Sequence, residues 1–171
     1  MKLLSSLGGG LAGACALTIL HEILRRVDPE APRMDLMGKQ AVAKGLDKAS
    51  EPIPNDKNLY QIALVSDIIS NTIYYGLGVA GKKKYIMPKG ALLGLTAGLG
   101  AIFLPKSLGL NPDYSSRTLK RKALTTGLYL VGGLIASGVA KKLDGMGKRK
   151  KPSVSEPFDL ISYNRKSFLN G

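Results

Sequence analysis

The sequence predicts an all-α protein: an integral membrane bundle of four transmembrane helices, with an amphipathic helix in the first linker. Three observations carry this. Long apolar runs alternate with short, densely charged stretches, although the mean hydropathy of the 171 residues is only +0.04. A globular fold rarely sorts its residues so sharply. Four of the runs approach the roughly 20 residues that a bilayer requires of a spanning helix. Inside them glycine recurs every four residues, which is a helical period and not a strand period.

The first span is expected at residues 3–24. Lys2 ahead of it imitates the start of a secretion signal. The apolar run nevertheless continues through Ala16-Leu17-Thr18-Ile19-Leu20, past the point where a cleaved leader turns polar, so the helix is expected to be retained. The second span is expected at 59–80. The third, at 85–104, carries Pro88 and Lys89 in its first turn, where an amide lacks a helical partner anyway and a lysine can reach the headgroups. The fourth is expected at 123–140. Residues 1–142 then form the transmembrane domain, and residues 143–171 a basic, flexible cytoplasmic tail with a short contact segment at 158–163.

Small residues mark the faces on which these helices meet. Gly9 and Gly13 lie on the first, Gly90, Gly94 and Gly98 on the third, and Gly132, Ala136 and Ala140 on the fourth. In water each helical glycine costs about 1 kcal/mol against alanine. In hydrocarbon it lets two backbones approach closely, within one chain or between copies in a homo-oligomer or a larger membrane complex.

The first linker, 25–57, holds seven basic and six acidic residues. Within it, Pro32 precedes an amphipathic helix from Asp35 to about Ala49, with Asp35 as its expected cap. That helix either lies on the membrane surface or packs over the bundle.

The net charge of +13, from 25 Lys and Arg against 12 Asp and Glu, suits nucleic acid or an anionic membrane face. Its placement decides between them. Lys82, Lys83 and Lys84 fill the second linker, and Lys148, Arg149, Lys150 and Lys151 follow the fourth span, without interleaved aromatics. These clusters are expected at anionic headgroups, and no nucleic-acid partner is expected. Basic residues number 13 on the side of the termini and 12 on the other, so the count hardly discriminates. Their density next to helix ends favours both termini in the cytoplasm.

One cysteine and one histidine leave no disulfide framework and no cysteine or multi-histidine metal site, and no cofactor is expected. Cys15, in an apolar helix without a nearby cation, reads as an inert thiol. His21-Glu22 begins like a zinc-protease motif, but Arg25 stands where the second histidine would be. Glu22 more simply pairs with Arg25 and Arg26 one turn on. No glycine pair precedes a Lys-Ser/Thr, and no serine sits in a hydrolase elbow.

Ionisable groups inside a span are functional candidates by default. Asp67 forms a polar stripe with Ser70, Asn71 and Tyr74 in the second span, and Tyr60 lies one heptad earlier. At about 1.5 Å per residue Asp67 sits about 12 Å below the outer boundary. His21 and Glu22 approach that boundary from the first span. If the two helices are neighbours, Asp67 reaches His21 directly or through water, as an ion- or proton-handling pair. Otherwise Asp67 and Asn71 are interhelical hydrogen-bonding groups.

The stretch Lys89-Gly90-Ala91-Leu92-Leu93-Gly94-Leu95, continuing to Leu104-Pro105-Lys106-Ser107-Leu108-Gly109-Leu110, resembles the third-helix region of YagU-like bacterial inner-membrane proteins. The Gly/Ala-rich first helix and a linker with Ala31-Pro32-Arg33-Met34-Asp35 are similar to that group as well. The resemblance spans about the first three-quarters of the chain as a pattern of helices, and the Lys-rich second linker and basic tail depart from it. It implies a bacterial inner-membrane setting and brings no biochemical activity with it. Two readings follow: a non-enzymatic structural or accessory membrane component, or an oligomeric ion, proton or small-solute transporter using Asp67, Asn71 and His21.

Overall fold

A computed structural model describes residues 3–146. Six α-helices follow one another: α1 (Leu3–Val27), α2 (Met34–Lys48), α3 (Asp56–Val79), α4 (Ile86–Ser107), the single turn α5 (Asp113–Ser116) and α6 (Leu119–Met146), with a 3-10 turn at Lys83–Tyr85 before α4. Four of them, α1, α3, α4 and α6, are long and apolar enough to cross a membrane. At 22 to 28 residues they measure roughly 33–42 Å.

Each helix end has a local cause. Asn55 caps α3 by accepting a hydrogen bond from the Asn58 amide at 3.0 Å. α2 closes with the Ser50 amide on the Asp47 carbonyl (3.0 Å) and the Glu51 amide on that of Leu46 (2.9 Å), and Ser50 takes the left-handed φ of 58° that this closure needs. α4 closes in the same way around Gly109, with φ of 66°. The capping role expected of Asp35 is not found. Arg33 precedes the first turn of α2 with no side-chain cap, and Asp35 lies inside that turn. Its carboxylate instead accepts two bonds from the Arg33 guanidinium, at 3.0 and 2.9 Å.

Each span runs past at least one of its expected limits. α1 reaches Val27, where Arg25 and Arg26 suit the negative end of the helix dipole. α6 extends to Met146, beyond the domain boundary expected at 142, because its last turns are held: Leu143 packs against Gly8, and Asp144 pairs with Lys83 at 2.7 Å. Lys83 therefore turns inward from the cluster assigned to headgroups. Lys84 lies over the Tyr85 ring, 5.5 Å from its centre, and Lys82 is exposed. Lys89 donates to the Ala80 carbonyl at the end of α3 (3.0 Å). Lys2, the cluster Lys148, Arg149, Lys150 and Lys151, and the segment 158–163 lie outside the described residues.

The long helices stand in the spatial order α3, α1, α6, α4, and glycine sets their spacing. A Cβ on Gly13 would lie 2.5 Å from the Gly132 carbonyl oxygen and 2.7 Å from the Ala136 Cβ. One on Gly94 would lie 2.5 Å from the Leu130 Cα, and one on Gly98 2.7 Å from the Thr126 Cα. Gly9 abuts Ala136 and Ala140, and Gly90 abuts Gly133 and Ser137. α6 thus offers one small face to α1 and an adjacent one to α4. Gly10, Gly76 and Gly133, not singled out from sequence, complete the contacts: Gly10 and Gly76 bring α1 onto α3. The small-residue stripes are consumed within one chain. Leu17, Tyr75, Tyr129 and Ala136 form the core, where the Tyr75 hydroxyl donates to the Tyr129 carbonyl at 3.0 Å.

At the end of the bundle away from the start of α1 and the end of α6, α2, α5 and the flanking loops form a joined cap. The Arg33 amide donates to the Tyr114 carbonyl (2.8 Å), the Asn111 amide to Gln40 Oε1 (2.9 Å), and Lys44 Nζ to the Leu108 carbonyl (2.7 Å). Pro105 has no amide to give the Ala101 carbonyl, and the Ser115 hydroxyl takes that place at 2.6 Å. Arg121, buried at the start of α6, donates to the carbonyls of Pro29, Glu30 and Asp113 and so ties both loops together.

Candidate functional site

Three helices turn similar faces towards one space beneath this cap. From α1 come Thr18, His21 and Glu22. From α3 come Tyr60, Ala63, Leu64 and Asp67, and from α2 come Met34, Met37, Gly38 and Ala41. Each set follows the three- and four-residue spacing of a single helix face. Gly38 lets α2 lie close on α3: a Cβ there would be 3.3 Å from that of Ala63. The amphipathic helix is therefore packed over the bundle. Asp35 and Leu110 complete the lining of a cavity of about 220 Å³.

The structure brings Asp67, His21 and Glu22 to one cavity, but each has its own surroundings. Glu22 is held by Arg25 through two bonds of 2.8 and 2.6 Å and accepts a third from the Tyr60 hydroxyl at 2.9 Å. Asp67 has no basic partner among the described residues. Asn71 Nδ2 donates to its Oδ1 at 3.0 Å, and the Thr18 hydroxyl stands beside the carboxylate. His21 packs edge-on against Tyr129, with ring centres 5.8 Å apart, and its buried Nε2 has no hydrogen-bond partner. The direct His21–Asp67 bond offered by the sequence does not form. The two residues share the cavity instead.

The polar stripe of α3 divides. Asn71 reaches the cavity only through Asp67. The Ser70 side chain is exposed and turns back to the Asp67 carbonyl at 3.1 Å, away from the site. Tyr74 crosses to α4, bonding the Leu93 carbonyl (3.0 Å) and Thr96 (2.7 Å). Thr18 and Asp35 were not singled out as site residues. Thr18 carries a retrospective signal, since it precedes His21 by one turn. Asp35 enters through the folding-over of α2, which no local pattern announces.

At the cap, burial pushes the Asp35 carboxyl up, but the hydrogen bonds and charge of Arg33 prevail and hold it below its ordinary value. Lys120 and the Glu30 amide hold Asp28 low as well. A carboxyl held below its unfolded value adds stability above that value and loses it as pH falls through the lower, folded one. Acidification below about pH 4 is expected to loosen residues 28–35 before the bundle, read as lowered amide protection there after correction for intrinsic exchange. Protection unchanged down to about pH 3 would contradict the assignment.

Among the described residues no three His, Cys, Asp or Glu side chains are grouped to hold a metal ion. In comparisons with family models, curated proteins and solved structures, nothing matches this chain.

Proposed function

We propose that the chain is a non-enzymatic accessory component of a bacterial inner membrane, crossing it four times with both ends in the cytoplasm, and that the cavity under α2 is its working part. The outward side chains support the crossing. Leu92, Leu95, Leu99 and Phe103 run exposed along α4, and Ile62, Val65, Ile69 and Ile73 along α3. Only 28% to 39% of each candidate span is buried against the rest of the protein. Exposed apolar area on that scale is unfavourable in water and suited to hydrocarbon. Lys82 and Lys84, together with the basic tail, support the orientation and contact with anionic headgroups.

The observation that carries the functional reading is Asp67, a carboxylate without a cationic partner among the described residues, on the wall of an otherwise mostly apolar cavity. Nothing around it forms a nucleophile with an aligned base, since His21 Nε2 bonds no neighbour. Binding, and not bond-making, fits this set of groups.

Carbonate washing is expected to leave the protein in the membrane pellet. In a Cys15→Ser background, a cysteine replacing Lys82 is expected to label only from the cytoplasmic side, and one replacing Asn111 only from the other. The reverse pattern would overturn the orientation. In mild detergent a stoichiometric partner or second copy is expected to co-purify, and a solitary, partner-free species would overturn the accessory role.

The shared cavity also favours a second reading, an oligomeric ion or proton conduit using Asp67, Asn71 and His21. On that reading Asp67→Asn reduces proton flux into proteoliposomes by about tenfold or more, the range of a lost charge-assisted interaction. Equal flux in both forms removes it.

A further inference from the structure

We infer that the cavity binds a small organic cation, an ammonium group carried on a compact apolar body, with the Asp67 carboxylate as its counter-charge. This deepens the reading of the cavity as the working part of the protein and rests on it. The inventory of charges around the space singles out one sign. Glu22 is neutralised by Arg25, and Asp35 by Arg33, whose guanidinium bonds it twice. Those pairings leave the two arginines engaged, so an anionic ligand would have to displace a carboxylate to find a positive partner. Among the described residues Asp67 alone of the lining carboxylates has no cationic partner, its carboxylate being bonded by the Asn71 amide. A carboxylate removed from water without a counter-ion is costly, and a cation supplied by a ligand relieves that cost.

His21 supplies the second, independent sign. Its side chain lines the same cavity, the residue is only 8% exposed, and Nε2 has no hydrogen-bond partner among the described residues. Buried polar atoms are nearly always satisfied, so an unmatched ring nitrogen on a residue that lines the cavity marks a place for a ligand group or a water. With its proton on the other ring nitrogen, Nε2 accepts a hydrogen bond from an ammonium.

The rest of the wall sets the body of the ligand. Met34, Met37, Leu64 and Leu110 are apolar, and methionine adapts to irregular shapes. A bare alkali or divalent ion, which demands several oxygen ligands, finds too few here. The volume of about 220 Å³ exceeds the roughly 150 Å³ that admits benzene in a dry engineered cavity, leaving room for one ring and a short aminoalkyl arm.

Titration of the full chain in detergent with phenethylamine, and with its uncharged counterpart 2-phenylethanol, tests this. Both partition into micelles, so the wild type is compared with Asp67→Asn, which keeps the side-chain shape, and with Ala41→Trp, which fills the cavity and keeps Asp67. Saturable binding of the amine by the wild type, weakened about tenfold or more in Asp67→Asn and lost in Ala41→Trp, is expected. Amine binding equal in wild type and Asp67→Asn overturns the proposal. So does Na⁺ or K⁺ displacing the amine at equal concentration. If the alcohol binds the wild type as tightly as the amine, and Ala41→Trp abolishes it, the cation class falls while the cavity remains the working part. If neither probe binds the wild type saturably, the cation proposal falls, and the cavity as a binding site falls with it.

Discussion

Gly94→Ala is expected to push α4 off α6 and lower the unfolding midpoint in mixed micelles. The added Cβ would stand 2.5 Å from the Leu130 Cα and 2.6 Å from the Tyr129 carbonyl oxygen. Both obstacles are backbone, so no side chain can swing aside. Overpacking commonly costs about 1–3 kcal/mol even where neighbours adjust, and here relief requires moving whole helices. Because the Tyr129 carbonyl also accepts the Tyr75 hydroxyl, the disturbance passes to α3. Gly127→Ala on the same α6 is the control: nothing lies within 4 Å of its Cβ position. That variant is expected to be neutral or slightly stabilising through helix propensity. Equal losses in the two variants would show that α4 and α6 do not pack through this face.

Arg121→Met is expected to release the cap over the cavity. Arg121 is 8% exposed, and its guanidinium reaches three carbonyls at 2.8, 3.1 and 3.3 Å, on two segments far apart in sequence. Each bond to a charged group is worth about 1.5–3 kcal/mol to remove, though not additively. A total loss of about 3 kcal/mol or more is expected, concentrated at the cap. Limited proteolysis should then open residues 28–33 and 108–117 while the four long helices persist. Arg121→Lys should recover less than half of the loss, because a single ammonium cannot span the carbonyls that the planar fork bridges. Wild-type proteolysis in Arg121→Met would exclude this role.

Much of the fold is legible in local composition. Glycine at four-residue intervals in oily segments foretells close helix contacts, and Gly9, Gly13, Gly90, Gly94, Gly98 and Gly132 all lie in them. The helix in the first linker follows from its amphipathic spacing. Asp67, His21 and Glu22 stand out because ionisable groups are rare in such segments, and they do line one cavity. Illegible were the features made by residues distant in sequence. Arg121 reads as one more surface cation until its three carbonyl partners are in place. Lys83 reads as a headgroup contact until Asp144 arrives from the end of α6, 61 residues later. Ser70 belongs to the polar stripe by spacing, yet its rotation about α3 points it outward.

What the sequence by itself determined was the number and oily character of the four long helices, because hydropathy and glycine spacing act within a single segment. Only the tertiary structure decided which helices are neighbours, how α2 folds over α3, and which carboxylates have lost their counter-ions. Those outcomes depend on backbone approach and on charge pairs between segments that meet only once the chain has folded.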